Sequence, residues 1–143
     1  MKRLAASLVG AFAFVASVPA VAAWTVVAST DDYFVEFNPD LIRPSGQYTL
    51  AWTRMTYTVP QATEVGSGPK YQSQQQLYAV DCTAATSAVV GTVLYAGALG
   101  RGNIIDRKTQ PRAQWVLQRV PSGSVGELTV RLTCAAVAAQ KSQ

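Results

Sequence analysis

From Tyr33 onward the chain alternates apolar and polar residues with a period of two, in short runs stopped by turn residues. That pattern belongs to β-strands, whose successive side chains point to opposite faces of a sheet. Trp24–Ser29 forms a first run, ended by Thr30-Asp31. Tyr33, Val35 and Phe37 then share one dominant face, and Asn38-Pro39-Asp40 turns the chain. Tyr48, Leu50 and Trp52 lie on one face of a third strand, but Met55, Tyr57 and Val59 have the opposite parity. A β-bulge near Thr53-Arg54, or burial of both faces, accounts equally for that switch. Pro60 to Pro69 has no apolar rhythm and reads as a loop. Ser73–Cys82, Val89–Tyr95 and Gln114–Val120 read as further strands. Ala96–Arg112 reads mainly as loop, with Ile104-Ile105 pairing briefly.

The C-terminal end fits two patterns. Leu128, Val130, Leu132 and Cys134 alternate as a strand would. A helical stripe of Val125, Leu128, Leu132, Ala135 and Ala139 fits equally, with Ser124 and Glu127 as a capping box and an Ala-rich continuation.

The N-terminus constrains where this fold must work. Lys2 and Arg3 precede an apolar run from Leu4 to Val18, followed by Pro19 and Ala20-Val21-Ala22-Ala23. This is the layout of a cleaved secretory signal over residues 1–23, with cleavage after Ala22 or Ala23. The run is shorter than the about 20 apolar residues of a membrane anchor. Residues 24–143 then form a single exported domain, large enough for a real core. It carries ten basic against eight acidic residues, a balance too small to point to nucleic acid. No second apolar run is long enough to span a membrane. No cysteine stands at the cleavage region, so a lipobox is missing and the exported chain is expected in the periplasm or secreted.

Cys82 and Cys134 are an even pair in an exported chain, which favours a disulfide. The competing readings are free thiols or a metal site, and two sulfurs without any histidine ligate zinc poorly. The same lack of histidine removes the Ser-His and Cys-His arrangements of nucleophilic catalysis. Asp31-Asp32 reads as a turn, and the glycine-rich Gly97–Gly102 lacks the Lys-Ser/Thr of a phosphate loop. No catalytic residue, metal or cofactor is expected. The one concentration of charge is Arg101, Arg107, Lys108 and Arg112, offset by Asp106. It is a candidate contact for an acidic partner, weighed against a loop that merely keeps the domain soluble. Trp24, Trp52 and Trp115 read as core or half-buried strand residues, with a stacking role for ligand as the alternative.

These residues taken together resemble the surface-adhesin protein E-like family of bacterial exported domains. The resemblance runs from Asp32-Tyr33-Phe34-Val35 and Asp40-Leu41-Ile42 through the Tyr48–Tyr57 strand. It continues through Tyr71-Gln72-Ser73, Tyr78 and Asp81-Cys82 to Val120-Pro121-Ser122-Gly123-Ser124 and Cys134. It implies an α+β fold, a six-stranded antiparallel sheet with a C-terminal helix packed on it from about Val125. It also implies a Cys82–Cys134 bond tying the fourth strand to that helix. The function implied is a non-catalytic, adhesin-like module that contacts a host extracellular protein or an anionic glycan. A soluble periplasmic domain with a structural or assembly role in the envelope is the alternative expectation.

Overall fold

A computed structural model describes residues 23–143; the signal segment read over residues 1–23 lies, but for Ala23, outside the described residues. Eight strands and one helix follow in order. They are β1 (Thr25–Ser29), β2 (Tyr33–Phe37), β3 (Arg43–Ser45), β4 (Tyr48–Glu64), β5 (Ser67–Asp81), β6 (Thr86–Tyr95), β7 (Ile104–Thr109), β8 (Gln118–Arg119) and α1 (Val125–Lys141). All strands are antiparallel in one sheet, with main order β1-β2-β4-β5-β6-β7; β3 adds to β4 and β8 to β6. The architecture is α+β, with six strands on the main path and one helix across a single face.

Register assigns the two faces. Thr49–Thr56 pair without interruption with Ser73–Val80, so Ala51 faces the same side as Tyr78, and Trp52 the same side as Leu77. No bulge interrupts Thr53-Arg54; the shift in register falls between Thr56 and Gln61. Burial on both faces is therefore what switched the apolar parity of β4. Phe37, Ile42 and Ala51 form one buried cluster, against which Leu132, Ala136 and Val137 of α1 pack. Tyr78, Val80 and Val130 form a second, completed by Val89, Val120 and Cys134.

The helix start is fixed locally. The Ser124 hydroxyl accepts from the Glu127 N–H at 3.1 Å, and the Glu127 carboxylate accepts from the Gly123 N–H at 2.6 Å. One backbone donor that the helix end leaves open is thereby satisfied, and the residue before the cap is tied to the first turn. Which face α1 buries differs from the simple apolar stripe. Ala135 and Ala139 are exposed, whereas Thr129 and Thr133 are fully buried. The bond between Cys82 and Cys134 supplies the reason. Turning Cys134 toward the end of β5 rotates its neighbour Ala135 outward by about 100°. Thr129 tolerates burial because its hydroxyl donates to the Val125 carbonyl at 2.7 Å.

Three sequence assignments are corrected. The Pro60–Pro69 stretch is not a loop but the far end of the β4–β5 hairpin, turning only at Val65-Gly66. Among the described residues no other strand flanks residues 59–71, and most of them are exposed, so no apolar rhythm is required. Ile104–Thr109 is a full edge strand rather than a brief pairing. Of Gln114–Val120 only Gln118-Arg119 pairs, because the segment before it crosses the sheet face instead of joining it.

Candidate partner-binding face

The sheet face away from α1 carries Tyr48, Leu50, Trp52, Arg54 and Thr56 from β4, alternating with the helix-facing residues. Two irregular segments fold over it. The first is residues 97–102. Its Leu99 N–H donates to Thr56 Oγ1 at 3.2 Å, and its Gly100 N–H to Ser73 Oγ at 2.9 Å. Ser73 in turn donates to the Gly97 carbonyl at 2.6 Å. Leu99 sits in the left-handed region at φ 59°, a conformation a branched side chain adopts only when its surroundings enforce it.

Arg54 is one enforcing group. Its guanidinium donates to both Glu36 oxygens, at 2.7 and 2.9 Å, and to the Leu99 carbonyl at 3.0 Å, and lies 4.5 Å from the Trp24 ring centroid. Glu36 is only 6% exposed. The sequence reading missed this pair, because Glu36 occupies the polar phase of β2. Its signal was the register partner Arg54, legible only once β2 and β4 are known to pair.

The second cover is residues 110–117. Arg112 donates to the Ser45 hydroxyl at 2.7 Å and the Ser45 carbonyl at 3.0 Å, and lies 5.4 Å from both the Tyr48 and Trp115 rings. The Trp115 indole donates back to the Gln110 carbonyl at 2.9 Å. Tyr48 and Arg54 are six residues apart on one strand, roughly 20 Å. Between the two covers lies a shallow groove of about 350 Å³, lined by Trp52, Gln75, Leu77, Gly91, Tyr95 and Arg107 among others.

The four basic residues singled out in the sequence do not form one loop cluster. Arg107 pairs in register with Val93 and shares the groove face, while Lys108, beside it on a strand, turns to the other. Lys108 pairs with Asp106 at 3.6 Å. Arg101 closes the 97–102 cover, with its N–H bonded to the Ala98 carbonyl and its side chain exposed. Arg112 is held in the stack just described. Among the described residues the Arg107 guanidinium makes neither an ion pair nor a hydrogen bond within the chain. Arg101, Arg107 and Arg112 thus belong to the helix-free side, and Lys108 does not.

On the helix-bearing side, Tyr33, Tyr57 and Tyr71 meet edge to face. The Tyr57 phenol is pushed up to about 12, first by burial and then by the neighbouring Tyr71. Burial also raises the Tyr78 phenol. Groups held neutral in this way supply aromatic surface rather than acid–base chemistry at neutral pH. Among the described residues no three His, Cys, Asp or Glu side chains group as a metal would require, and no helix is long and apolar enough to cross a membrane.

Comparison with known proteins bears on the family and the fold. The family model described as surface-adhesin protein E matches residues 24–135. Among curated proteins none matches the sequence. Among solved structures, crystal form II of Haemophilus influenzae protein E is similar in fold. Its TM-score is 0.56 at 14% identity, covering 78% of this chain and 87% of that one. A structure of protein E from non-typeable Haemophilus influenzae gives 0.51 at 13% identity, covering 79% and 84%.

Proposed function

Because the chain belongs to the surface-adhesin protein E family, we propose that it is an exported, non-catalytic binding module whose contact surface is the helix-free face of its sheet. Its partner is an acidic extracellular or cell-envelope protein or glycan. The observation that carries this reading is that Arg107, its guanidinium unpaired among the described residues, lines a tryptophan-floored groove on that side, where Arg101 and Arg112 also lie. Cations without internal partners keep their full interaction for a ligand. Lys108, paired with Asp106 on the opposite face, adds little. The helix face cannot serve in the same way, since α1 covers it. Working outside the cytoplasm fits both the leader-like N-terminus and the disulfide.

The test is binding to immobilised heparin, a broad mimic of acidic surfaces, across a salt series. Affinity should fall as salt rises through the physiological range. The Arg101→Gln/Arg107→Gln double variant should lose most of the retention, while Lys108→Gln keeps it. Equal losses from the two, or none from either, would show that the face is not the contact surface. Arg112→Gln is a poor probe, because it removes two hydrogen bonds and a stacked cation and so lowers stability by about 1–2 kcal/mol.

A further inference from the structure

Resting on that reading of the face, we infer that the groove between the two covers is a subsite for one carboxylate-bearing sugar unit, a uronate within an anionic extracellular glycan. Trp52, Leu77 and Gly91 are register neighbours on three adjacent strands and form its floor. Gly91 leaves that floor level with the backbone; a Cβ there would stand 3.3 Å from the Leu77 Cβ. A flat apolar floor with an indole at one side matches the C–H face of a pyranose ring.

The polar groups around the floor are mainly donors. Among the described residues the Trp52 indole N–H finds no acceptor. It is also absent from the buried unpaired atoms, Asn38 Nδ2 and Thr133 Oγ1, so it reaches solvent. The Gln75 carbonyl oxygen already accepts from the Tyr95 hydroxyl at 3.3 Å, which leaves its amide N–H groups to donate. Arg107 adds a planar guanidinium fork at the rim, suited to a carboxylate. A ligand rich in acceptor oxygens with one negative charge satisfies this set.

The charge count selects among anions. Arg107 and Lys108 both line the groove, but the register turns the Lys108 side chain toward the other face, where it pairs with Asp106, so among the described residues Arg107 is the one unpaired cation there. One fork balances a single carboxylate, whereas a dianionic phosphate asks for a second cation. The volume, about 350 Å³, is at the low end of the roughly 300–1,000 Å³ typical of small-ligand clefts, and suits a short sugar segment.

The chain has three tryptophans, so ¹⁵N-labelled protein reports on the groove through three indole N–H signals, with Trp52→Phe identifying the one that matters. The probe is a hyaluronan hexasaccharide, which carries uronates and no sulfate. The expected result is a selective shift of the Trp52 signal, with affinity about tenfold weaker in Arg107→Gln and unchanged in Lys108→Gln. A neutral chitin hexasaccharide should leave it in place. If dextran sulfate or polyglutamate moves the Trp52 signal as strongly as the uronate does, the groove reads charge or peptide rather than this sugar, and the inference fails. If those polyanions bind through Arg101 and Arg107 while the uronate leaves Trp52 unmoved, the contact face stands and the subsite is wrong. No response to any anion sinks both.

Discussion

The Glu36–Arg54 pair is the most exacting test of how the helix-free face is held. Both side chains are largely removed from water, at 8% and 13% exposure, and two charge-assisted hydrogen bonds join them. A third bond ties Arg54 to the Leu99 carbonyl. Glu36→Gln keeps the shape but removes the charge and turns an amide N–H₂ toward the guanidinium. Stranding a buried cation in this way should cost about 3 kcal/mol, within the roughly 3–5 kcal/mol typical of a broken buried pair. Arg54→Met strands the carboxylate instead and also frees the Leu99 carbonyl, so it should cost at least as much. The double variant Glu36→Leu/Arg54→Met removes both charges. It should lie only about 1–2 kcal/mol below the wild type, mostly for the unpaired Leu99 carbonyl. Urea unfolding followed by circular dichroism measures all three, and the double-variant cycle should give a coupling of about 3 kcal/mol or more. Hydrogen exchange at Leu99 and Gly100 should speed up in each single variant, because the 97–102 cover loses an anchor. Single variants costing under about 1 kcal/mol, with additive effects, would mean that the pair behaves as a solvated surface contact, and the reasoning fails.

Reducing the Cys82–Cys134 bond reopens a loop set by a separation of 52 residues, and chain entropy puts the loss at about 4 kcal/mol; thermal melts with and without reductant would show it, and an unchanged midpoint would contradict it. Ser124→Ala should cost about 1 kcal/mol in the same melts, because the Glu127 N–H loses its acceptor. The Tyr57 phenol, displaced to about 12 against an ordinary value of 10, keeps its proton longer in the folded than in the unfolded chain. Stability should therefore be full below about pH 10 and decline as pH rises toward about 12. Tyr57→Phe should flatten that decline, and tyrosinate absorbance during the titration reports it directly.

What the residues revealed depended on whether burial and sequence distance cooperated. Tyr33, Val35 and Phe37 disclosed β2 because they share the helix-bearing face, where each meets other apolar or aromatic side chains. Glu36, in the opposite phase, was unreadable: its burial comes from Arg54 and a loop more than 60 positions away, and period-two patterns do not record loops. The same blindness made Trp115-Val116-Leu117 look like a strand, although the segment lies across the face and its Trp115 stacks on Tyr48. Exposed strands escaped for the converse reason. β7 holds Arg107 and Lys108 at a sheet edge, where charge guards against edge pairing and erases the apolar alternation. The terminal segment was open between strand and helix from periodicity. The Ser124 cap and the tether to Cys82 decide it in the fold. Of the candidate site, the four basic residues were visible, but the parting of Lys108 from the three arginines was not, because it depends on the register of β6 with β7.

The unflanked end of the β4–β5 hairpin has a consequence for how this molecule tolerates change. Residues 59–71 reach roughly 20 Å past the sheet with their ladder bonds made only to each other. Val65 at the tip is wholly exposed, and Gly66 beside it turns with nothing near. Neither buried cluster draws on this stretch. At the Val65-Gly66 turn itself length and composition are uncoupled from folding, so the tip is free to accept an inserted tag, a fluorophore or a foreign epitope without disturbing the groove below.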